Sequence, residues 1–151
     1  YGPGDNFDLE TSHVIPALIR KFVEAKNQNR PTVTAWGTGT PSREFLYVED
    51  AAQGITLATE QYEKGDPINL GTGHEIQVMQ LVSIIQKIVQ YEGEVVWDTT
   101  RPDGQPRRQL DTIRAQTEFG FEARTTLEKG VQRTVEWYLA NRGADAGINP
   151  G

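Results

Sequence analysis

The sequence predicts an α/β domain in which amphipathic helices alternate with short strands, an α+β arrangement when the segment is taken as an isolated fragment. Its 151 residues, 36% of them hydrophobic, are enough for one domain with a buried core. Apolar residues recur with helical spacing in several segments. Short β-prone runs lie between those segments, which is the order of elements expected of an α/β fold.

Five helices are predicted along the chain. The first covers residues 12–26, where apolar residues recur every three or four positions and Ser12 is the expected N-cap. Residues 77–90 have the clearest apolar stripe and are predicted to form a core helix. The last helix is expected to open on a capping box formed by Thr125 and Glu128. The other helices are predicted at residues 50–62 and 111–118, and the last one ends near residue 141.

Four short strands are predicted, at residues 32–36, 44–48, 67–70 and 94–97. The second and third are too brief to form a sheet of their own, so we expect them to pair with a sheet supplied from elsewhere. The sequence opens on Tyr-Gly-Pro-Gly-Asp-Asn without an initiator Met, which is typical of a loop from the middle of a longer protein. A processed amino terminus is the alternative. Residues 142–151, rich in Gly and Ala, are predicted to be a flexible tail.

Composition excludes several classes of function for this segment. It has no cysteine, so thiolate catalysis and Cys-based metal sites are absent, and its two histidines, His13 and His74, are too far apart in sequence for a zinc site. The net charge of −6 argues against nucleic-acid binding, which requires a basic face. No apolar run approaches the roughly 20 residues that span a bilayer. We expect a soluble domain without a metal.

Some residues could serve a small anionic ligand. The turn at residues 37–40 lacks the sequence context of a P-loop or a dinucleotide-binding loop, and a hairpin turn is the favoured interpretation. Arg43 lies where a loop meets a strand, and a guanidinium there can bind a diphosphate. The loop 101–108 concentrates three arginines and could close over an anion, with Asp103 accepting hydrogen bonds from a sugar or base. His13, near a helix start, is a candidate acid or base because imidazole titrates near neutrality.

Taken together, these stretches resemble a known enzyme family. The opening Tyr-Gly-Pro-Gly-Asp-Asn, the run Trp-Gly-Thr-Gly-Thr-Pro-Ser-Arg-Glu-Phe-Leu-Tyr-Val-Glu-Asp at 36–50 and Asn-Leu-Gly-Thr-Gly at 69–73 are similar to the extended short-chain dehydrogenase/reductases that act on nucleotide sugars. Two sharper motifs, Ser-His-Val-Ile-Pro-Ala at 12–17 and Asp-Thr-Thr-Arg-Pro-Asp-Gly-Gln-Pro-Arg-Arg at 98–108, are similar to the GDP-L-fucose synthase family. The resemblance covers residues 1–141.

The resemblance implies that this segment is the carboxy-terminal, nucleotide-sugar-binding half of an NADP-dependent enzyme. In the family, an amino-terminal Rossmann half carries the NADP loop, a Tyr-x-x-x-Lys pair and a catalytic Cys, none of which matches this sequence. The family epimerises C3 and C5 of GDP-4-keto-6-deoxy-D-mannose and then reduces the C4 ketone with NADPH. The segment is therefore expected to be inactive alone, and the parent enzyme to be a cytoplasmic homodimer.

The resemblance also implies roles for individual residues. His13 would be the catalytic acid that protonates the enolate, close to the nicotinamide of NADP. The GDP-sugar contacts would be Lys21, Trp36, Arg43 and Asp103. Some relatives carry Arg at the position of Lys21, and Lys keeps the charge without the bidentate geometry. The alternatives are another nucleotide-sugar epimerase or 4,6-dehydratase, or a stand-alone module that binds a GDP-sugar without chemistry.

Overall fold

A computed structural model describes residues 1–141, so the predicted flexible tail at 142–151 lies outside the described residues. The α/β prediction is confirmed. The helices are α1 (Val14–Asn27), α2 (Val48–Gln61), α3 (Val78–Val89), α4 (Ile113–Phe119) and α5 (Leu127–Asn141). The strands are β1 (Thr32–Trp36), β2 (Ser42–Glu44), β3 (Glu75–Gln77), β4 (Glu94–Asp98) and β5 (Arg107–Arg108).

The main core lies between three helices and one face of a two-stranded sheet. Helices α1, α3 and α5 contact one another, and α1 also packs on β1. Their buried side chains include Ile19, Phe22, Leu81, Ile85 and Val131, each fully enclosed. These residues recur at helical spacing in the sequence, because the same stripe that predicts each helix is the stripe that it buries. The core helix predicted at 77–90 is confirmed.

Strands β1 and β4 pair in parallel, with Val33 opposite Val95 and Trp36 opposite Asp98. Side chains of β1 alternate, so Val33 and Ala35 face the helices while Thr32, Thr34 and Trp36 face away. Trp36, the last residue of β1, is therefore outward and 56% exposed. This alternation places the indole on the surface although it is the largest side chain of its strand.

A second, smaller sheet has the order β3-β2-β5. Strand β2 runs antiparallel to β3 and parallel to β5, and the parallel register sets Arg43 opposite Arg108. A separate apolar cluster centred on Ala115, Phe119 and Phe121 fills the space between α4 and α2. The second sheet carries Arg43 together with two of the three arginines of the loop 101–108.

Two strand predictions are wrong. Residues 44–48 do not continue as a strand, since β2 ends at Glu44 and helix α2 begins at Val48. The buried Tyr47 just before α2 packs edge-on against Tyr1, so its apolar character reflects loop packing rather than a sheet face. Residues 67–70 are irregular. The inference that these two runs await a sheet from elsewhere therefore loses its basis.

Two capping predictions are also wrong in detail. His13, not Ser12, is the N-cap of α1, and the buried Ser12 hydroxyl has no hydrogen-bond partner among residues 1–141. Helix α5 starts at Leu127, and the Thr126 hydroxyl accepts the Lys129 amide at 3.3 Å, so the cap lies one residue after the predicted Thr125. The Thr125 amide instead donates to the carboxylate of Asp50.

The loop expected between 98 and 109 contains β5, a strand of two residues.

Within the described residues, no helix is long and apolar enough to cross a membrane. No group of His, Cys, Asp or Glu side chains in residues 1–141 is arranged to hold a metal ion.

Candidate functional site

A cavity of about 570 Å³ lies where the amino-terminal loop and the start of α1 face the second sheet. Its volume falls in the range of about 300–1,000 Å³ that small-ligand sites occupy. Its wall combines apolar side chains with a few titratable ones. The titratable residues are Tyr1, Asp5, His13, Arg43, Glu44 and Arg108. This mixture of an apolar lining and a few converging polar groups is typical of a site for a polar ligand.

His13 reaches this cavity because it is the last residue before α1. Its backbone is extended, with φ −75° and ψ 172°, and its side chain makes no capping hydrogen bond to the helix. The imidazole is exposed and lines the cavity. An imidazole that is not occupied by capping is available to exchange a proton with a bound ligand.

Two arginines, Arg43 and Arg108, line the same cavity from adjacent strands. The Arg43 guanidinium donates to the carbonyl oxygens of Ser42, at 2.7 Å, and Asp103, at 3.4 Å. Within residues 1–141 neither arginine forms an ion pair, whereas the neighbouring Arg107 pairs with Glu75 at 2.6 Å. The cavity wall therefore carries two positive charges without compensating carboxylates on either guanidinium.

A second group of cations surrounds Trp36. The Lys21 ammonium and the Arg101 guanidinium each lie 4.9 Å from the centroid of the indole ring. Lys21 reaches across from α1 and donates to the carbonyl oxygen of Thr34 at 3.1 Å. The Arg101 guanidinium forms a longer ion pair, with 3.7 Å between its Nε atom and the Oδ2 atom of Asp98. An exposed indole flanked by cations suits a ligand with an aromatic ring and negative charge.

Burial lowers the pKa of the Lys21 ammonium below its ordinary value, because the surrounding side chains remove water from the charged form. The Trp36 indole is one of the side chains beside the ammonium, with its ring centroid 4.9 Å from the Lys21 nitrogen. Lys21 is thus a cation held partly out of water.

Asp103 joins the two groups. Its carboxylate accepts the amide of Thr38 at 2.6 Å and the Thr38 hydroxyl at 2.8 Å. Gly37, with φ +78°, makes this possible, since a Cβ there would overlap the carboxylate. Asp103 therefore fastens the loop after β4 to the glycine turn after Trp36, and its own carbonyl holds Arg43.

The predicted site residues fall into two neighbouring sets. His13 and Arg43 share the cavity, Lys21 and Trp36 form the second group, and Asp103 links them through the turn. The sequence indicates Arg101 and Arg108 only as members of an arginine-rich loop, and it gives no sign of Glu44. Only the β2–β5 register shows which arginine faces Arg43.

Another depression of similar size, about 590 Å³, lies between the carboxy-terminal ends of α1 and α3. It contains Lys26 and Arg30, but the Lys26 ammonium already donates to the carbonyl of Val89 at 2.8 Å. None of the predicted site residues lines it. We therefore assign the candidate site to the cavity beside His13.

Comparisons with known proteins agree with the α/β fold described above. Residues 1–71 match the family model described as NAD dependent epimerase/dehydratase family. A GDP-L-fucose synthase of Escherichia coli (strain K12) is 45% identical over 151 residues, covering 94% of this chain and 47% of that protein. GDP-L-fucose synthase 1 of Arabidopsis thaliana is 40% identical over 141 residues, covering 93% of this chain and 43% of that protein.

A crystal structure of a GDP-L-fucose synthetase from Naegleria fowleri bound to NADP superposes with a TM-score of 0.88 at 32% identity, covering 95% of this chain and 45% of that chain. By fold and by these matches, the chain is similar to proteins of the NAD dependent epimerase/dehydratase family. Among the matched proteins are the GDP-L-fucose synthases, the family that the sequence motifs resemble. The chain spans less than half the length of these relatives.

The contact between Lys21 and Trp36 gives a prediction that NMR can check. We expect the side-chain amine of Lys21 to titrate below the ordinary lysine value of about 10.4. Because the folded state disfavours the ammonium form, the free energy of unfolding should rise as the pH rises from the lowered pKa of Lys21 to the ordinary lysine pKa. Trp36→Ala should move the Lys21 titration back toward the ordinary value, whereas Arg101→Ala should leave it lowered. A Lys21 titration at or above the ordinary value in the unmodified chain would contradict this prediction.

Proposed function

We propose that this chain is the GDP-sugar-binding portion of an NADP-dependent 3,5-epimerase/4-reductase that makes GDP-L-fucose from GDP-4-keto-6-deoxy-D-mannose. The observation that carries the proposal is the cavity that His13 lines together with Arg43 and Arg108, two arginines that form no ion pair within residues 1–141. Homology to GDP-L-fucose synthases supports it. A diphosphate-linked ketosugar needs both kinds of group, cations for its phosphates and a proton donor beside its sugar.

The diphosphate is assigned to the arginine pair. Guanidinium groups match phosphate oxygens in geometry and form charge-assisted hydrogen bonds with them. Arg43 and Arg108 are neighbours in the β2–β5 register, so one diphosphate can contact both. Its negative charge would also relieve the repulsion between the two cations.

The nucleobase and its ribose are assigned to the surface around Trp36. The indole is exposed and can stack on a purine. Lys21 beside it would contribute positive charge, and Asp103 would accept hydrogen bonds from the base or sugar after exchanging its present partner, the Thr38 amide. The two groups of residues are linked through Asp103, so a nucleotide can extend from Trp36 to the arginines.

His13 is assigned to the sugar end of the ligand. During epimerisation, a base removes a proton from the carbon next to a ketone, and an acid returns a proton to the resulting enolate. An exposed imidazole on the cavity wall can hold that proton on a ring nitrogen and donate it. The proximity of His13 to the nicotinamide of NADP is part of the same proposal.

The described residues fit NADP only in part. His13 fits a contact with its nicotinamide end, but the turn at 37–40 does not fit a phosphate, because the Thr38 amide already binds Asp103. When bound, NADPH supplies the hydride that reduces the C4 ketone. We propose that most of the NADP site, together with the remaining catalytic groups, belongs to an amino-terminal Rossmann half, in a parent enzyme that is a cytoplasmic homodimer. The chain spans less than half of its relatives, which is consistent with such a half.

Removal of one guanidinium tests the diphosphate assignment. Arg43→Ala should weaken GDP binding by about 1–3 kcal/mol, as expected for loss of a charge-assisted hydrogen bond. Titration calorimetry with GDP measures this change. Arg133→Ala is the matched control, since Arg133 carries the same charge but pairs with Glu49 on the exposed face of α2. Equal affinities for GDP in the unmodified chain and Arg43→Ala would refute the assignment, and no GDP binding at all would refute the proposed function.

The assignment of the other catalytic groups to a separate half predicts that the 151-residue chain is inactive by itself. With GDP-4-keto-6-deoxy-D-mannose and NADPH, absorbance at 340 nm should stay constant. A full-length relative run beside it serves as the positive control. Measurable NADPH oxidation by the chain alone would show that this segment already holds a complete active site.

A further inference from the structure

One carboxylate, that of Glu44, accepts backbone amides from two separate loops. Its Oε1 atom accepts the N–H groups of Thr72 and, at 3.0 Å, of Gly73. Its Oε2 atom accepts the N–H group of Leu110 at 2.8 Å. Since Glu44 is the last residue of β2, its side chain joins this strand to the turn before β3 and to the segment after β5. Three converging donors compensate its negative charge.

Strand β5 depends on such contacts because it is only two residues long. A strand of that length cannot hold its position through ladder hydrogen bonds alone. On one side, Arg107 is fixed by Glu75, which also accepts the Ser42 hydroxyl at 2.6 Å. On the other side, the bond from Leu110 to Glu44 fixes the chain two residues after Arg108. The position of Arg108 is therefore set from both directions.

The turn before β3 is built around the same carboxylate. Gly71 is buried, and a Cβ at that position would overlap Oε1 of Glu44. Glycine thus allows the backbone to approach closely enough for the next two amides to bind. The turn is tied to the loop after β5 a second time, because the Gln109 side chain donates to the carbonyl of Gly73.

We propose that Glu44 is a positioning residue for diphosphate recognition, which holds the backbone on both sides of the cavity so that Arg43 and Arg108 stay side by side. This inference rests on the proposed function, since it requires a nucleoside diphosphate in the cavity. Two guanidiniums of like charge repel each other in the absence of an anion, so their spacing requires a rigid backbone. Glu44 adjoins Arg43 in β2 and fixes the segment that follows Arg108. Its action is indirect, through the peptide backbone.

Binding of GDP and of GMP by the same variant tests the proposal. In Glu44→Gln the side-chain amide keeps an acceptor for one loop but presents a donor to the other. We expect its dissociation constant for GDP to rise about tenfold, the equivalent of about 1.4 kcal/mol. That for GMP, which cannot bridge two guanidiniums through a diphosphate, should rise less than about twofold. Glu49→Gln, which removes a surface carboxylate paired with Arg133, is the control and should change neither value.

The GDP-to-GMP ratio separates positioning from loss of structure, because a partly unfolded sample weakens both ligands equally. If Glu44→Gln does not fold, Glu44→Asp, which keeps the charge but shortens the reach, should show the same selective loss. Equal weakening of both ligands would overturn the positioning role, as would unchanged binding of both. If the unmodified chain bound neither nucleotide, the proposed function would fail as well; if it bound GDP and the ratio did not change, only the role of Glu44 would fail.

Discussion

The parallel pairing of β2 with β5 is the contact on which the candidate site depends. It brings Arg43 and Arg108 to the same cavity, although 64 residues separate them in the sequence. The strands are three and two residues long, so their own hydrogen bonds contribute little to this arrangement. Side-chain carboxylates supply the rest, with Glu44 binding backbone amides and Glu75 binding Arg107. The two guanidiniums are therefore kept in place by acidic residues that, within residues 1–141, form no ion pair with either of them.

The large core places the other half of the site. Helix α1 packs against α3 and β1, and this packing presents His13 at its amino-terminal end and Lys21 along its edge. The same sheet turns Trp36 outward, so the indole meets Lys21 at the surface. The hydrophobic periodicity of one helix thus fixes two candidate ligand contacts. A change in the packing of α1 would move both of them together.

The sequence could predict the elements that bury a continuous apolar stripe. Helices α1 and α3 and strand β1 lie close to their predicted bounds, because burial and periodicity are local signals there. The prediction of a strand at 44–48 was wrong because the alternating apolar residues of this run resemble a strand pattern. Tyr47 is instead buried against Tyr1 in a loop. The pairing partner of Arg43 was not predictable, since two-residue strands leave no pattern and their register depends on distant loops. The roles of His13, Lys21, Trp36, Arg43 and Asp103 stay predictions.

We propose that the two sets of site residues form one continuous binding surface, from the indole of Trp36 through Asp103 to the arginines of the cavity. Titration of the ¹⁵N-labelled chain with GDP, followed by NMR, tests this continuity most directly. Chemical-shift changes should concentrate on the Trp36 indole, on the guanidinium groups of Arg43 and Arg108, and on the amides of the turn at 71–73. Changes confined to the depression near Lys26 and Arg30, or spread evenly over the chain, would contradict the assignment of the site.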